Sequence, residues 1–403
     1  MRVALVSEHA SPLAALGSAD AGGQNVHVAA LATALGALGH EVTVHTRRDR
    51  PDLAAHVEMA PRVRVHHVDA GPALAVPKDD LLGHMLAFGD ALGAYWEQWR
   101  PDVAHAHFWM SGVATLRAAV PLGIPVAQTF HALGTVKRRF QGLSDTSPRH
   151  RLGEEARLAR EVDRIIATCT DEVAELCRMG IAPTRSTVVP CGVDTETFHA
   201  DGAVEPRPSG RHRLLSIGRL VPRKGVDDVI RALQWLPHTE LVVAGGAPED
   251  RLDEDAEVQR LRRIAADVGV EPRVRFLGGV DRARVPALMR SADVVVAYPW
   301  YEPFGMVPLE AMSCGVPIVV SDVGGMRDTV RHDVTGLRVA ARSPAALGRA
   351  LLPLLADPER RAQMGVAGAH RARQRYAWSR VADLTGNVYA QLRAGAGVER
   401  KVV

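Results

Sequence analysis

The chain has 403 residues, of which 47% are hydrophobic and 4% aromatic, and a formal net charge of +3. That length asks for two packed cores rather than one. The sparse aromatics offer no stacking platform for single-stranded nucleic acid, and no apolar run reaches the roughly 20 residues of a membrane span. Met1 leads straight into an apolar run over 3–6, leaving no room for a signal peptide. Cys169, Cys177, Cys191 and Cys314 form no C-x-x-C pair, so neither a disulfide framework nor a metal cluster is expected. These features describe a soluble, reduced, cytoplasmic protein with no nucleic-acid partner and no membrane span. They leave peripheral membrane contact and a homodimer open.

In chain order, residues 2–7 read as a short buried strand. His9-Ala-Ser-Pro12 and Ala21-Gly-Gly-Gln-Asn25 follow, then a helical pattern over 26–38 and a strand over 41–46. Gly22 and Gly23 precede a helix without the G-x-G-x-x-G spacing of a dinucleotide fingerprint, which argues against a dehydrogenase. Paired glycines there still let backbone N–H groups approach a phosphate. Strands are expected over 62–68, 101–107 and 126–130. The second ends in His105-Ala-His107-Phe108-Trp109, and the third runs into His131-Ala-Leu-Gly-Thr-Val-Lys137. His131 lies at a strand's carboxyl end, where open α/β sheets bind ligands; His105 and His107 read equally well as packed core. A helix over 154–162, a strand over 164–168, a helix over 171–179 and a strand over 187–189 lead to Pro190-Cys-Gly-Val-Asp194. The Pro/Gly-rich stretch 201–212 is the expected domain boundary.

The second half opens with a strand over 213–217, then Gly218-Arg-Leu-Val-Pro-Arg-Lys-Gly225, then a helix over 226–236. Arg219 and Lys224 thus stand as two cations beside a helix N-terminus, which suits a diphosphate. Strands over 241–245 and 273–277 and a helix over 283–291 lead into a strand over 294–297. The loop Glu302-Pro-Phe-Gly-Met-Val-Pro-Leu-Glu310 comes next, then a strand over 318–320. Pro308 suits a first helical turn, and Glu310 is expected in that turn. Read alone, Glu302 and Glu310 serve as well to complement a helix dipole. Asp253 and Asp255 match a D-x-D metal motif in form but sit in a charged, helix-like run and read as solvated surface. Helices over 344–355, 358–373 and 379–392 follow the loop 321–325, and the tail 394–403 is expected to lack structure. Lysine occurs only at Lys78, Lys137, Lys224 and Lys401, and the first three fall in stretches singled out on other grounds.

The E-x7-E of Glu302 and Glu310 with Pro303-Phe304-Gly305, the G-R-L-x3-K-G of 218–225 and the G-G-Q-N-V of 22–26 occur together and in order. The chain resembles the retaining nucleotide-sugar glycosyltransferases of family 4. Its first half is similar to the inositol-phosphate glycosyltransferase of mycothiol synthesis and to sucrose and sucrose-phosphate synthases. The resemblance implies an α/β GT-B fold, two Rossmann-like domains with parallel sheets facing across a cleft. It implies an acceptor domain over 1–195, completed by a crossing helix at 379–393, and a nucleotide-sugar donor domain over 211–378. The donor would meet Gly22, Gly23, Arg219, Lys224, Glu302, Phe304, Gly305, Met306, Val307 and Glu310, with Glu302 on the sugar and Glu310 on the ribose.

His131, Arg219, Lys224 and Glu302 would then be the catalytic set, with His131 near the anomeric centre and no protein nucleophile. Asn25, Lys78, Phe108, Ala132, Lys137 and Arg151 would form the acceptor site. Phe108 and Ala132 stand where the inositol-phosphate enzyme has hydroxyl-bearing residues. That difference points to an acceptor other than inositol phosphate, still small and anionic or phosphorylated. The expected activity is metal-independent, cofactor-free transfer of a hexose or N-acetylhexosamine from a nucleoside-diphosphate sugar, with UDP favoured. A GT-B epimerase, a phosphorylase and a non-catalytic nucleotide-sugar-binding protein share the fold.

Overall fold

Short runs of Val, Ile, Leu and Ala without polar alternation are what strands buried on both faces require, and the chain supplies them repeatedly. The structure is a computed structural model that describes residues 1–14, 22–142 and 145–399. Ala21, Ser144 and the tail from 400 lie outside the described residues. Among those described, no helix is long and apolar enough to cross a membrane.

The chain forms two compact units, one of Met1–Cys191 with the last helix and the other of Gly192–Ala377. In the first, strands β1 (Arg2–Val6), β2 (Glu41–Arg47), β3 (His56–Ala60), β4 (Val63–Val68), β5 (Val103–His107), β6 (Val126–Thr129), β7 (Arg164–Ala167) and β8 (Ser186–Val188) lie in the order β3-β4-β2-β1-β5-β6-β7-β8. All neighbours are parallel except β3 and β4. Its core joins Val3, Leu5, Leu31, Leu35 and Val44 to Val381, Val388 and Tyr389 of the last helix. In the second unit, β9 (His212–Ile217), β10 (Thr239–Ala244), β11 (Val274–Gly278), β12 (Val294–Ala297), β13 (Ile318–Ser321) and β14 (Gly336–Val339) form a wholly parallel sheet in the order β11-β10-β9-β12-β13-β14.

Strand order reverses once in each sheet, between β1 and β5 and between β9 and β12. Outside the carboxyl ends of strands, such a reversal leaves a crevice where ligands bind. The residues after β1 are Ser7, Glu8 and His9, and after β5 Phe108 and Trp109. Those after β9 run through Arg219 to Lys224, and those after β12 from Tyr298 to Glu302.

Three expectations are corrected. The chain enters the second unit at Gly192, ahead of the stretch 201–212. Phe198 is buried in the second core, and its carbonyl accepts a hydrogen bond from Ser313 Oγ at 2.5 Å, which ties the preceding residues to that unit. The last helix spans Trp378–Glu399, not 379–392. Glycines at 395 and 397 weaken a helix without ending one already propagating. The helix Arg151–Glu161 begins three residues earlier than expected, placing Arg151 and Glu155 one turn apart. The periodicity also missed the edge strands β3 and β14 and the helices Met85–Gln98, Trp109–Leu122 and Gly134–Gln141.

Candidate active site

In the second unit, the exits of β9 and β12 are laced together. Gly225 has φ +68° and caps the helix Val226–Ala232; a Cβ there would overlap the Tyr298 carbonyl. Only glycine allows that approach. Trp300 N–H donates to the Arg223 carbonyl at 2.9 Å. This contact seats Lys224 against Glu302, and Lys224 Nζ pairs with Glu302 Oε2. Only 12% of the Glu302 side chain is exposed. Burial opposes its charge, but Lys224, Arg223 and Arg219 outweigh that and hold the carboxyl below the usual range.

Behind it, Gly325 N–H donates to the Glu302 carbonyl at 2.9 Å. A Cβ at Gly324 or Gly325 would strike the carbonyls of Glu302 or Pro303, so this glycine pair shapes the loop that presents the carboxylate. Gly305, at φ +79°, starts the helix Met306–Ser313, and the Met306 and Val307 amides lie in its first turn. A helix N-terminus is electropositive and carries unpaired N–H groups. A paired carboxylate, two further cations and this helix end form a site that can hold a polyhydroxyl group and a diphosphate.

Glu310 is corrected in position. It is the fifth residue of that helix, one turn inside, and is 5% exposed. Arg282 Nη2 reaches Glu310 Oε1 at 2.6 Å, and the guanidinium stacks 4.5 Å over the Phe198 ring. Burial raises the Glu310 carboxyl and Arg282 pulls it down. Arg282 lies in an exposed-looking loop, and nothing in its sequence context marked it.

In the first unit the expected acceptor residues Lys78, Phe108, Ala132, Lys137 and Arg151 do come together. Phe108, at φ +81°, follows β5, and its buried ring faces two cations: Lys78 Nζ at 5.0 Å and Arg151 Cζ at 5.1 Å from the centroid. Burial lowers the Lys78 ammonium, and the charges of Arg151 and Lys137 push the same way. Converging cations of this kind favour an anionic ligand.

Two of these side chains also have structural duties. Arg151 is 2% exposed; Nε meets Glu155 Oε1 at 2.7 Å, Nη1 the Ser147 Oγ at 3.1 Å and Nη2 the Ala132 carbonyl at 2.5 Å. Lys137 Nζ lies 2.8 Å from Ser147 Oγ and 3.0 Å from Asp145 Oδ1. Asn25 serves as a loop tie. Its Oδ1 accepts the Gly22 N–H and its Nδ2 donates to the Ser11 carbonyl, both at 3.0 Å, while Gly22 itself is extended.

His131, at φ +62°, belongs to a buried set with His27, His105 and His107. His107 Nδ1 and His131 Nε2 are 3.0 Å apart. Thr129 Oγ1 donates to the Ile166 carbonyl, so it accepts from His105 Nε2–H, and His105 Nδ1 accepts from the Tyr389 hydroxyl at 2.7 Å. Burial pushes His27 to about 4 and His105 to about 3, and lowers His107 and His131 well below the ordinary imidazole value. Burial thus favours the neutral form of these rings, which suits His131 to neutral hydrogen bonding. His105 and His107 belong to the packed interior.

The D-x-D residues have other work. Asp255 caps the helix Ala256–Asp267 and Asp253 pairs with Arg262. Among the described residues, no cluster of His, Cys, Asp or Glu is arranged to hold a metal ion.

Residues 21–197 match the profile of Glycosyltransferase Family 4, and residues 199–371 that of Glycosyl transferases group 1. The D-inositol 3-phosphate glycosyltransferase 2 of Catenulispora acidiphila is 36% identical over 97% of this chain and 95% of its own. The chain belongs to glycosyltransferase family 4. The sucrose-phosphate synthase structure from Thermosynechococcus elongatus is 30% identical with a TM-score of 0.88, covering 98% of this chain and 99% of its own. Anabaena HepE in complex with UDP is 20% identical with a TM-score of 0.76, over 97% of this chain and 100% of its own, a likeness in fold. The fold of this family 4 enzyme is GT-B, built on two parallel-sheet α/β units.

Proposed function

We propose that this glycosyltransferase moves a hexose or N-acetylhexosamine, with retention, from a nucleoside-diphosphate sugar to a small phosphorylated or otherwise anionic acceptor. The observation that carries the reading is the Lys224–Glu302 pair set beside the Gly305–Val307 helix end where β9 and β12 part. Glu302 and the loop amides orient the sugar. Arg219, Lys224 and the helix N-terminus stabilise the charge that grows on the departing diphosphate. The bond from C1 to the diphosphate oxygen breaks while the acceptor oxygen bonds to C1 on the same face. The acceptor proton passes to the departing phosphate. UDP is the donor nucleotide we favour; HepE, alike in fold, is a protein solved in complex with UDP. Thermal shifts with UDP, GDP and ADP test the choice, and the largest stabilisation is expected from UDP.

Side chains and amides meet the phosphate charge, so turnover is expected to survive excess EDTA unchanged. Loss of activity with recovery on adding Mn²⁺ or Mg²⁺ would overturn this and return attention to Asp253 and Asp255.

Glu310, assigned to the ribose, accepts from two hydroxyls most strongly as a carboxylate, with both oxygens free of a proton. Removing Arg282 takes away the charge that opposes burial, so the Glu310 carboxyl rises further. Arg282→Ala is expected to raise the donor KM most at acid pH, where the raised carboxyl is protonated, and least at alkaline pH. A donor KM that changes by the same factor at every pH would refute the assignment.

The relatives are named for inositol 3-phosphate and sucrose phosphate, and the cations around Phe108 fit a phosphoryl group. Phe108 and Ala132 offer that pocket no side-chain hydroxyl. We therefore expect a preferred acceptor other than an inositol phosphate: another sugar phosphate, or an anionic glycoside with an apolar portion. In an acceptor panel, Lys78→Ala is expected to raise the KM of the preferred acceptor by about 10-fold or more, the scale of one charged hydrogen bond. Efficient glycosylation of inositol phosphate would refute the inference from Phe108 and Ala132. An unchanged KM in Lys78→Ala would refute the anion site.

A further inference from the structure

We propose that Arg342 is a positioning residue for the transfer: from the loop after β14 it clamps the Trp300 ring and so holds Glu302 in register with Lys224. The proposal rests on the donor reading above and adds to that site a residue that lies outside it.

The chain leaves β12 and reaches Glu302 through Tyr298, Pro299 and Trp300, and each of these is tied by a different element. The buried Tyr298 hydroxyl donates to the Ala340 carbonyl, just after β14, with the Ser343 carbonyl 3.3 Å away. Ser321 Oγ, at the end of β13, donates to the Pro299 carbonyl at 2.6 Å. Trp300 N–H donates to the carbonyl of Arg223, the residue before Lys224. Tyr298 and Pro299 are buried, whereas Trp300 is half-buried. Arg342 covers its ring, with the guanidinium carbon 4.1 Å from the centroid. Indole is the side-chain ring that attracts a cation most strongly.

The backbone points the same way. Arg342 has φ +57°, in the left-handed region that glycine enters freely and arginine does not. A strained residue of this kind persists where its surroundings hold it, and such residues gather at functional sites. The same guanidinium is one of the charges that pull the Asp228 carboxyl down against burial. Asp228 lies in the first turn of the helix Val226–Ala232, which Gly225 caps next to Lys224. One exposed cation thus acts on the ring two residues before Glu302 and on the carboxylate four residues after Lys224. Those are the two segments that must stay in register for Lys224 Nζ to meet Glu302 Oε2. Catalytic arrangements lose rate steeply when a group is displaced by about 1 Å.

The test is steady-state kinetics of the full chain, read as release of the nucleoside diphosphate. The donors are UDP-glucose, UDP-N-acetylglucosamine, GDP-mannose and ADP-glucose; the acceptors are D-inositol 3-phosphate, fructose 6-phosphate and water. With the best pair, Arg342→Ala is expected to lower kcat about three- to tenfold, the scale of one cation–π contact. The donor KM and the calorimetric affinity for the matching nucleoside diphosphate are expected to stay within about twofold. Arg342→Gly deletes the same side chain and relaxes the backbone, so it is expected to melt no lower than wild type and still lose that turnover. Arg342→Lys keeps a cation within reach of the ring and is expected to recover part of the loss. In a Trp300→Leu background, which lowers kcat by itself, Arg342→Ala is expected to add less than about twofold. Turnover within about twofold of wild type in both Arg342→Ala and Arg342→Gly would overturn the clamp, and Lys224→Ala then decides the donor reading separately. Full additivity with Trp300→Leu would overturn it as well, by showing that Arg342 acts elsewhere. So would an equal loss of nucleoside-diphosphate affinity, which would make Arg342 a ligand of the nucleotide. A wild type that releases diphosphate from none of the donors would overturn the donor reading and the clamp together.

Discussion

Lys224→Ala is expected to lower turnover by about 10²–10³, the cost of one lost donor to transition-state charge. The donor KM should move far less, because the charge on the diphosphate grows as the glycosidic bond breaks. Lys224 has two duties. It offers a cation at the exit of β9, and it neutralises Glu302, a carboxylate only 12% exposed. Without it, burial raises the Glu302 carboxyl against the weaker fields of Arg223 and Arg219. The variant should therefore lose more activity at acid pH than at alkaline pH, where Glu302 stays ionised. Arg219 is exposed and lies farther down the order of charges acting on Glu302, so Arg219→Ala should lower turnover without that pH dependence. Steady-state kinetics across pH decide the matter. Turnover within threefold of wild type in both variants would remove these cations from the chemistry.

Much of this was legible in the sequence because local signals and global fold agree. The runs 3–6, 294–297 and 318–320 can be satisfied only by strands buried on both faces. The loops after them carry glycine, proline and charge where strand order reverses. Phe108, Lys78 and Arg151 were grouped through the resemblance, and the structure sets the two cations against one ring. What stayed hidden was pairing across long separations. Nothing near Arg282 announces Glu310 as its partner, and nothing near Trp300 announces Arg342. The position of Glu310 was misread because Pro308 is the third helical residue; the helix begins at Met306, after a left-handed Gly305. The early start of the helix Arg151–Glu161 was missed too, and with it the partnership of Arg151 and Glu155, which changes what a mutation at Arg151 can reveal.

Arg151→Ala is expected to destabilise the protein by about 3–5 kcal/mol, the usual cost of removing one partner of a buried ion pair. For a unit of this size that corresponds to a fall in Tm of about 6–20 °C. The Arg151 and Glu155 side chains are 3% and 0% exposed, and Glu155 Oε2 also accepts the Gly134 N–H at 2.7 Å, at the start of the helix Gly134–Gln141. Burial already raises the Glu155 carboxyl, against Arg151 and the Gly134 N–H, which lower it. Losing Arg151 raises it further, so the folded variant holds a proton that the unfolded chain releases. Stability then falls as pH rises, and the Tm deficit should deepen from acid to alkaline pH. The double variant Arg151→Met/Glu155→Gln removes both charges and keeps an acceptor for Gly134, so it should recover at least half of the loss. Thermal melts of the three proteins over a pH series test this. An unchanged Tm in Arg151→Ala would show that the pair contributes nothing to the fold. If the loss appears as expected, failure of Arg151→Ala to turn over says little about anion binding. Lys78→Ala is then the cleaner probe: among the described residues Lys78 holds no buried partner as Arg151 holds Glu155, and Asp79 and Glu8 act on it more weakly than burial and the neighbouring cations do.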